Sequence, residues 1–304
     1  MRKLKLGMHT YTLHLWGFGQ IWFAPGGETY DKAFGLVELM DKSVEWGLDG
    51  LHLTGADLET KDDANLERVA AEAKKRNLYL EYNFSLNEES DPRINDTFAN
   101  AAYVCHKLGA DLAKVSMDIR REPPLYGSSM QPAVMRQLVD IYYDIKKALP
   151  LYEKYGVRLA IENHTETYAD EVLWLVDQLA HPLVGVCVDT VNSFPVLEGP
   201  QVAVEKLAPK GICTHFCDHK LDRDEYGARF HGVAIGEGDM DCQKILDLFR
   251  RVSPKMDRIT FEIEWDKGTD TLEEARRKQM EACLRSIKYC REVLKIGRED
   301  ELIG

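Results

Sequence analysis

Four side chains able to bind a divalent cation stand at the ends of four short apolar runs in the second half of the chain. They are Glu162 in RLAIENH, Asp189 in GVCVDTVN, His215 in GICTHFCD and Glu262 in ITFEIEW. Oxygen donors with one imidazole suit Mn²⁺ first, with Mg²⁺, Co²⁺, Fe²⁺ or Zn²⁺ also compatible. Three carboxylates and a neutral histidine carry a charge of about −3, and a divalent cation offsets much of their repulsion. A single acidic residue at a strand end can merely cap the next helix. Four in succession make that a repeated coincidence. Glu162 and Glu262 come from the first and last of the four runs and so approach a shared pocket from different sides. One carboxylate can take a proton from an acidified C–H beside a carbonyl while the other returns one. The expectation is a divalent-metal enzyme.

Other residues surround this set. His164 lies two positions after Glu162, and continued strand periodicity would point both into the pocket, where His164 holds a substrate hydroxyl or acts as a base. Asn192, three residues after Asp189, orients substrate or caps the next helix. His9 and His52, at the ends of the first two apolar runs, are candidate sugar contacts. Lys114 is too costly to bury alone and must face the pocket or be paired. Trp16, Phe18, Trp22 and Phe23 lie in a Gly-containing loop and suit stacking on a sugar, an aromatic aglycone or a neighbouring subunit. The segment DHKLDRDEYGARFHGVAIGEGDMD, with Asp218, His219, Arg229 and His231, reads as a polar lid, with Arg229 a substrate contact.

The elements that position these residues alternate strand and helix. Strands are expected at 4–11, 48–53, 78–84, 111–117, 158–163, 184–189, 211–217 and 258–264. Helices are expected near 29–46, 63–76, 94–107, 132–155, 168–180, 200–207, 241–250 and 271–293. The strand runs are short and mostly apolar, as strands buried on both faces should be. The helices repeat their apolar residues three or four apart, as in AFGLVELMDKSVEW. EWGLDG and KLGADL place a Gly where a helix can end in the left-handed conformation. Eight such units fit an α/β fold, a (β/α)₈ barrel, as a single domain over 1–304 closed by a terminal helix. A doubly wound open sheet is the rival, but WGFGQIW after the first strand lacks the GxGxxG spacing of a nucleotide turn.

The 304 residues, 44% of them hydrophobic, support a sizeable core. A formal charge of −12, with 51 acidic against 39 basic residues, repels nucleic acid and anionic membranes. No run reaches the roughly 18 apolar residues of a membrane span, and MRKLKLGMHTYTL runs into a strand rather than a signal-peptide core. Seven cysteines, among them Cys187, Cys213 and Cys217, are scattered without a close CxxC pair. They read mainly as small buried hydrophobes in a reducing, cytoplasmic setting, and otherwise as a reactive thiol or metal ligand.

The pieces EWGLDGLHL, IENH, VCVDTVN, THFCD, IGEGDMD and FEIEW resemble the xylose isomerase-like barrel superfamily of sugar and sugar-phosphate isomerases and epimerases, over nearly the whole length. The resemblance implies Mn²⁺-type ligands at Glu162, Asp189, His215 and Glu262, with Glu162 and Glu262 as the acid/base pair of an isomerase or epimerase. Ketose 3-epimerases of this type usually carry a His where this chain has Asn192 and an Arg where it has Leu221. His52 replaces a Glu common in the superfamily. These replacements count against free-ketose epimerisation. The chain is also similar, at His164 above all, to metal-dependent lyases of the same barrel that cleave 3-oxo-C-glycosides and pair with a small second subunit. A dehydratase acting on inosose-type rings and a noncatalytic sugar-binding barrel are further alternatives. The expected partner is a small carbohydrate or glycoside, not nucleic acid or membrane, and the resemblance implies a homo-oligomer.

Overall fold

Alternation along each strand decides what it buries. In β1 (Lys5–His9), Leu6 and Met8 join the core shared with the helices, which leaves Lys5, Gly7 and His9 for the barrel interior. The computed structural model describes residues 3–20, 30–122 and 127–298. The chain continues through α1 (Leu36–Glu45), β2 (Gly50–Thr54), α2 (Asp63–Lys75), β3 (Tyr79–Ser85), α3 (Phe98–Leu108), β4 (Leu112–Ser116), α4 (Pro132–Tyr155), β5 (Arg158–Glu162), α5 (Ala169–Leu179), β6 (Val184–Asp189), α6 (Pro200–Leu207) and β7 (Gly211–Phe216). A hairpin of β8 (His219–Arg223) and β9 (Ala228–Gly232) follows, then α7 (Cys242–Val252), β10 (Arg258–Phe261) and α8 (Leu272–Glu292). Strands β1 to β7 and β10 close a parallel barrel in the order β1-β10-β7-β6-β5-β4-β3-β2. This is the (β/α)₈ barrel expected from the sequence.

Local chemistry sets the element ends. Asp62 accepts from the Asn65 N–H to start α2, and Thr271 with Glu274 forms a reciprocal cap on α8. The two glycines read as helix ends, Gly47 and Gly109, have φ of 77° and 66°. At the N-terminal end of the barrel, Gly7 and Gly50 make room for Tyr79. A Cβ on Gly7 would lie 2.1 Å from its hydroxyl, and one on Gly50 would lie 2.4 Å from its ring. The Arg258 guanidinium covers that ring at 4.5 Å. Among the described residues no helix is long and apolar enough to cross a membrane.

The last strand, expected over 258–264, stops at Phe261, and three other stretches also differ from the sequence expectation. The first strand ends at His9, because Thr10–Trp16 winds into 3-10 turns closed by Gly17 at φ 85°. The first helix begins at Leu36, and Trp22 and Phe23 lie outside the described residues. The polar segment after β7 is not plain loop. HKLDR and ARFHG pair antiparallel from His219↔Gly232 to Arg223↔Ala228.

Candidate metal centre

The four strand-end residues meet. Glu162 ends β5, Asp189 ends β6, His215 stands one residue before the end of β7, and Glu262 directly follows β10. All four are buried, Glu262 being the most exposed at 7%. The Nδ1 of His215 lies 2.8 Å from Glu162 Oε1, 2.9 Å from Glu262 Oε2 and 3.9 Å from Asp189 Oδ2. Three carboxylates thus face one ring nitrogen.

Each carboxylate is held from behind. Glu162 Oε2 accepts from Lys114 Nζ at 2.6 Å and from Ser116 Oγ at 2.9 Å. Asp189 Oδ1 accepts from the N–H groups of Val191 and Asn192, both at 2.8 Å, so the turn after β6 locks the carboxylate. Asn163 ties β5 to β6, donating to the Asp189 carbonyl and accepting from its N–H. Glu262 Oε1 is 3.4 Å from His9 Nδ1, and the other nitrogen of His9 is 3.1 Å from Asn83 Nδ2.

The electrostatics match a site short of positive charge. Burial pushes His215 toward neutrality, but Glu162 and Glu262 more than offset this and hold its pKa well above the usual imidazole value. Burial raises Glu162 and Glu262, yet Lys114 and His215 pull the first well down, and His9 and His215 do the same to the second. For Asp189 the pull of His215 is outweighed. Burial and the neighbouring Glu162 carry it up to about 7.

Among the described residues, three sets of buried donors come within 4.8 Å of one another: His9, His52 and His215; Glu162, Cys187 and His215; Asp189, Cys217 and Glu262. Every member of the four-residue cluster belongs to at least one of them, with His215 in two and no set holding all four. Hard oxygens with one imidazole and a surplus of negative charge fit a divalent cation. All seven cysteines are buried and free of disulfides.

A cavity of about 810 Å³ opens at the C-terminal end of the barrel. Thr165, Asn192, His219 and Glu264 line it, each a few residues beyond Glu162, Asp189, His215 and Glu262 respectively. Among polar residues its walls carry six aromatic side chains: Tyr11, Phe18, Tyr30, Phe194, Phe230 and Trp265. Phe230 on β9 stacks on Phe194 at 4.4 Å between centroids. His219 Nε2 lies 3.0 Å from Glu264 Oε2.

The residues expected to contact substrate divide between this cavity and other surroundings. Asn192 and Arg229 line it, Arg229 with a 2.8 Å contact to Asp266. His9, His52 and Lys114 lie deeper in the barrel, at 2%, 1% and 2% exposure. Lys114 is paired with Glu162 rather than open to the cavity. Trp16 turns away with the 3-10 segment and donates from Nε1 to the Arg276 carbonyl on α8. His164 does not line this cavity, because β5 ends at Glu162 and a turn follows. It lines a separate groove with Asp118 and Glu166, its Nδ1 2.6 Å from Glu166 Oε2. Burial lowers the His164 pKa, but Glu166 outweighs this and raises it to about 10.

Ser116, Asn83, Glu81 and Asn163 escaped the sequence reading. Period two along β4 from Lys114 leads to Ser116. The same step along YLEYNFS places Glu81 and Asn83 on one face.

A family model described as a xylose isomerase-like TIM barrel matches residues 40–293. Over 137 residues the chain is 24% identical to 3-oxo-isoapionate decarboxylase of Pectobacterium atrosepticum, covering 44% of this chain and 49% of that protein. It therefore spans about half the length of this curated relative. D-psicose 3-epimerase from Clostridium cellulolyticum superposes with a TM-score of 0.66 at 15% identity, covering 96% of this chain and 99% of the other. A xylose isomerase-like TIM barrel protein from Mycobacterium smegmatis, solved in complex with magnesium, superposes with a TM-score of 0.61 at 15% identity, covering 94% and 97%.

Proposed function

The chain belongs to the xylose isomerase-like TIM barrel family, and from that premise we propose that it is a divalent-metal-dependent enzyme that moves a proton beside the carbonyl of a small sugar-like substrate, as an isomerase or epimerase does. The observation that carries this is the placement of the Glu162 and Glu262 carboxylates 2.8 and 2.9 Å from the same His215 nitrogen. Glu162, Asp189, His215 and Glu262 would hold the cation. When bound, it supplies a Lewis acid that polarises the carbonyl and acidifies the adjoining C–H.

The protein's own groups then divide the work. Glu162, clamped by Lys114 and Ser116, is fixed in orientation. Glu262, the most exposed of the four at 7%, stands two residues before the cavity-lining Glu264 and would accept the proton at a carboxylate oxygen. Both are kept ionised by their neighbours, the form in which a carboxylate can accept a proton. Asn192 and His219 line the cavity and are placed to orient substrate hydroxyls.

A second reading is supported by the aromatic walls. About 810 Å³ exceeds the needs of a single free sugar, and six aromatic side chains suit a substrate carrying an aryl group. The same proton abstraction, followed by cleavage of the bond to a carbon leaving group that takes up a proton as it departs, makes a lyase acting on 3-oxo-C-glycosides. The decarboxylase relative is compatible with lyase chemistry on this barrel.

The test is proton exchange in deuterated water. Metal-loaded protein is mixed with free ketoses and, separately, with 3-oxo-C-glycosides, and NMR follows deuterium at the carbon beside the carbonyl. An enzyme of this type washes deuterium in. No exchange with either class at any metal loading would sink the proposal. Release of the aryl group would decide for the lyase.

Metal affinity should also depend on pH. Asp189 near 7 and His215 well above its usual value both carry protons in the empty centre, and these must leave as a cation binds. Affinity is therefore expected to climb with pH, most steeply below about pH 7, where both protons must be displaced. Mn²⁺ titrations at several pH values check this, and a flat profile would count against these ligands.

A further inference from the structure

His52 has no role in the chemistry above, yet it is a polar ring placed at the centre of the barrel. It sits in the middle of β2, in register with His9 on one side and Glu81 on the other. It is 1% exposed and lines no cavity with the substrate-side residues. Its Nδ1 lies 3.3 Å from His215 Nε2. Glu81 Oε2, which accepts from Thr260 Oγ1 at 2.7 Å, stands 3.6 Å from the same His52 nitrogen. Its other nitrogen, Nε2, is buried with no hydrogen-bond partner among the described residues. A buried polar group left partly unpaired is costly, and an apolar side chain would serve packing better at this position.

The bond to His215 accounts for the ring. Nδ1 of His215 faces the three carboxylates, so a cation held there needs the lone pair on Nδ1 and the proton on Nε2. That proton requires an acceptor on the far side of the ring, and His52 Nδ1 is the group within reach. We propose that His52 is a positioning residue of the metal centre: it accepts a hydrogen bond from His215 Nε2 and so fixes the ring and tautomer that offer Nδ1 to the cation. The inference rests on the metal reading above and adds the residue that orients its one nitrogen ligand. Partners of this kind typically change metal affinity by about 10–100-fold when removed.

The test compares Mn²⁺ and Zn²⁺ binding by titration calorimetry to metal-free wild type, H52F and H52N, with thermal unfolding of each metal-free protein as a check on folding. His52→Phe cannot accept the bond and is expected to weaken binding by about 10–100-fold. His52→Asn carries an oxygen near the position of Nδ1 and is expected to recover most of the loss, with one ion per chain throughout. Unchanged affinity in H52F, or H52N as weak as H52F, overturns the proposal. So does a second ion in the wild type that H52F loses, which would make the three imidazoles a cation site of their own. Should H52F fail to fold, the zinc-loaded wild type still decides. Nitrogen-15 NMR should show His215 protonated at Nε2 with a hydrogen-bonded proton, and the opposite tautomer overturns the assignment. Wild type that binds no cation at all removes the metal reading itself, and this inference with it.

Discussion

Replacing Glu262 with Gln is expected to lower the rate of deuterium wash-in by about 10²–10⁴-fold at saturating metal. The amide keeps the size of the side chain and one oxygen, but it cannot accept a proton from carbon. Glu262 Oε2 contacts His215 at 2.9 Å and Oε1 lies 3.4 Å from His9, so the amide loses one favourable charge contact and its affinity for a cation falls as well. Metal must therefore be raised until the rate no longer responds, which separates loss of the ion from loss of the base. Under that condition KM should change less than kcat, because the missing group acts chiefly as the proton leaves. Glu264, two residues on, lines the cavity and supplies a control. Glu264→Gln should alter KM while leaving exchange largely intact. Undiminished exchange in the Glu262 variant would remove its acid/base role.

What could be read in the sequence was what strand-local patterning expresses. Glu162, Asp189, His215 and Glu262 were legible because each closes an apolar run, and a parallel barrel brings its strand ends to one side. The barrel itself was legible from eight alternating units. Contacts that depend on register between distant strands were not. Thr260 and Glu81 lie 179 positions apart, yet their side chains bond at 2.7 Å. The acceptor behind His215, at His52, is 163 positions away. His52 was expected at a strand end because the run LDGLHL was closed at Leu53, but β2 continues to Thr54 and keeps the ring inside. His164 was placed by extending period two past Glu162, where the chain has already left the sheet. Trp16 was read as part of an open loop, and the 3-10 turns that carry it against α8 have no strong signature in LHLWGFG. For Lys114 the rule that a buried amine needs a partner was sound. The partner, 48 positions away, required the register of β4 on β5.

That pairing yields the largest expected effect on stability. Lys114→Met is expected to destabilise the metal-free protein by about 3–5 kcal/mol, the usual cost of leaving one member of a buried ion pair alone. The pair is closely made, with Nζ to Oε2 at 2.6 Å and side chains 2% and 1% exposed. Its loss leaves Glu162 facing Glu262 and Asp189 with less compensating charge. The sign of the pH dependence follows from both partners. Glu162 is depressed on folding, so its contribution is full above its unfolded value of about 4.3 and is lost as pH falls through the folded value. Burial lowers the Lys114 pKa, but Glu162 outweighs this and the net shift is upward, so its contribution is full below about 10.4 and is lost as pH rises through the folded value. Neutral pH lies inside that window, and denaturant unfolding at pH 7 measures the whole cost. Divalent metal should then recover part of it. A cation among Glu162, Asp189, His215 and Glu262 supplies the positive charge that the variant lacks, so saturating Mn²⁺ should stabilise Lys114→Met more than wild type. An equal loss with and without metal would mean that Lys114 acts through packing alone and not as the counter-charge of the centre.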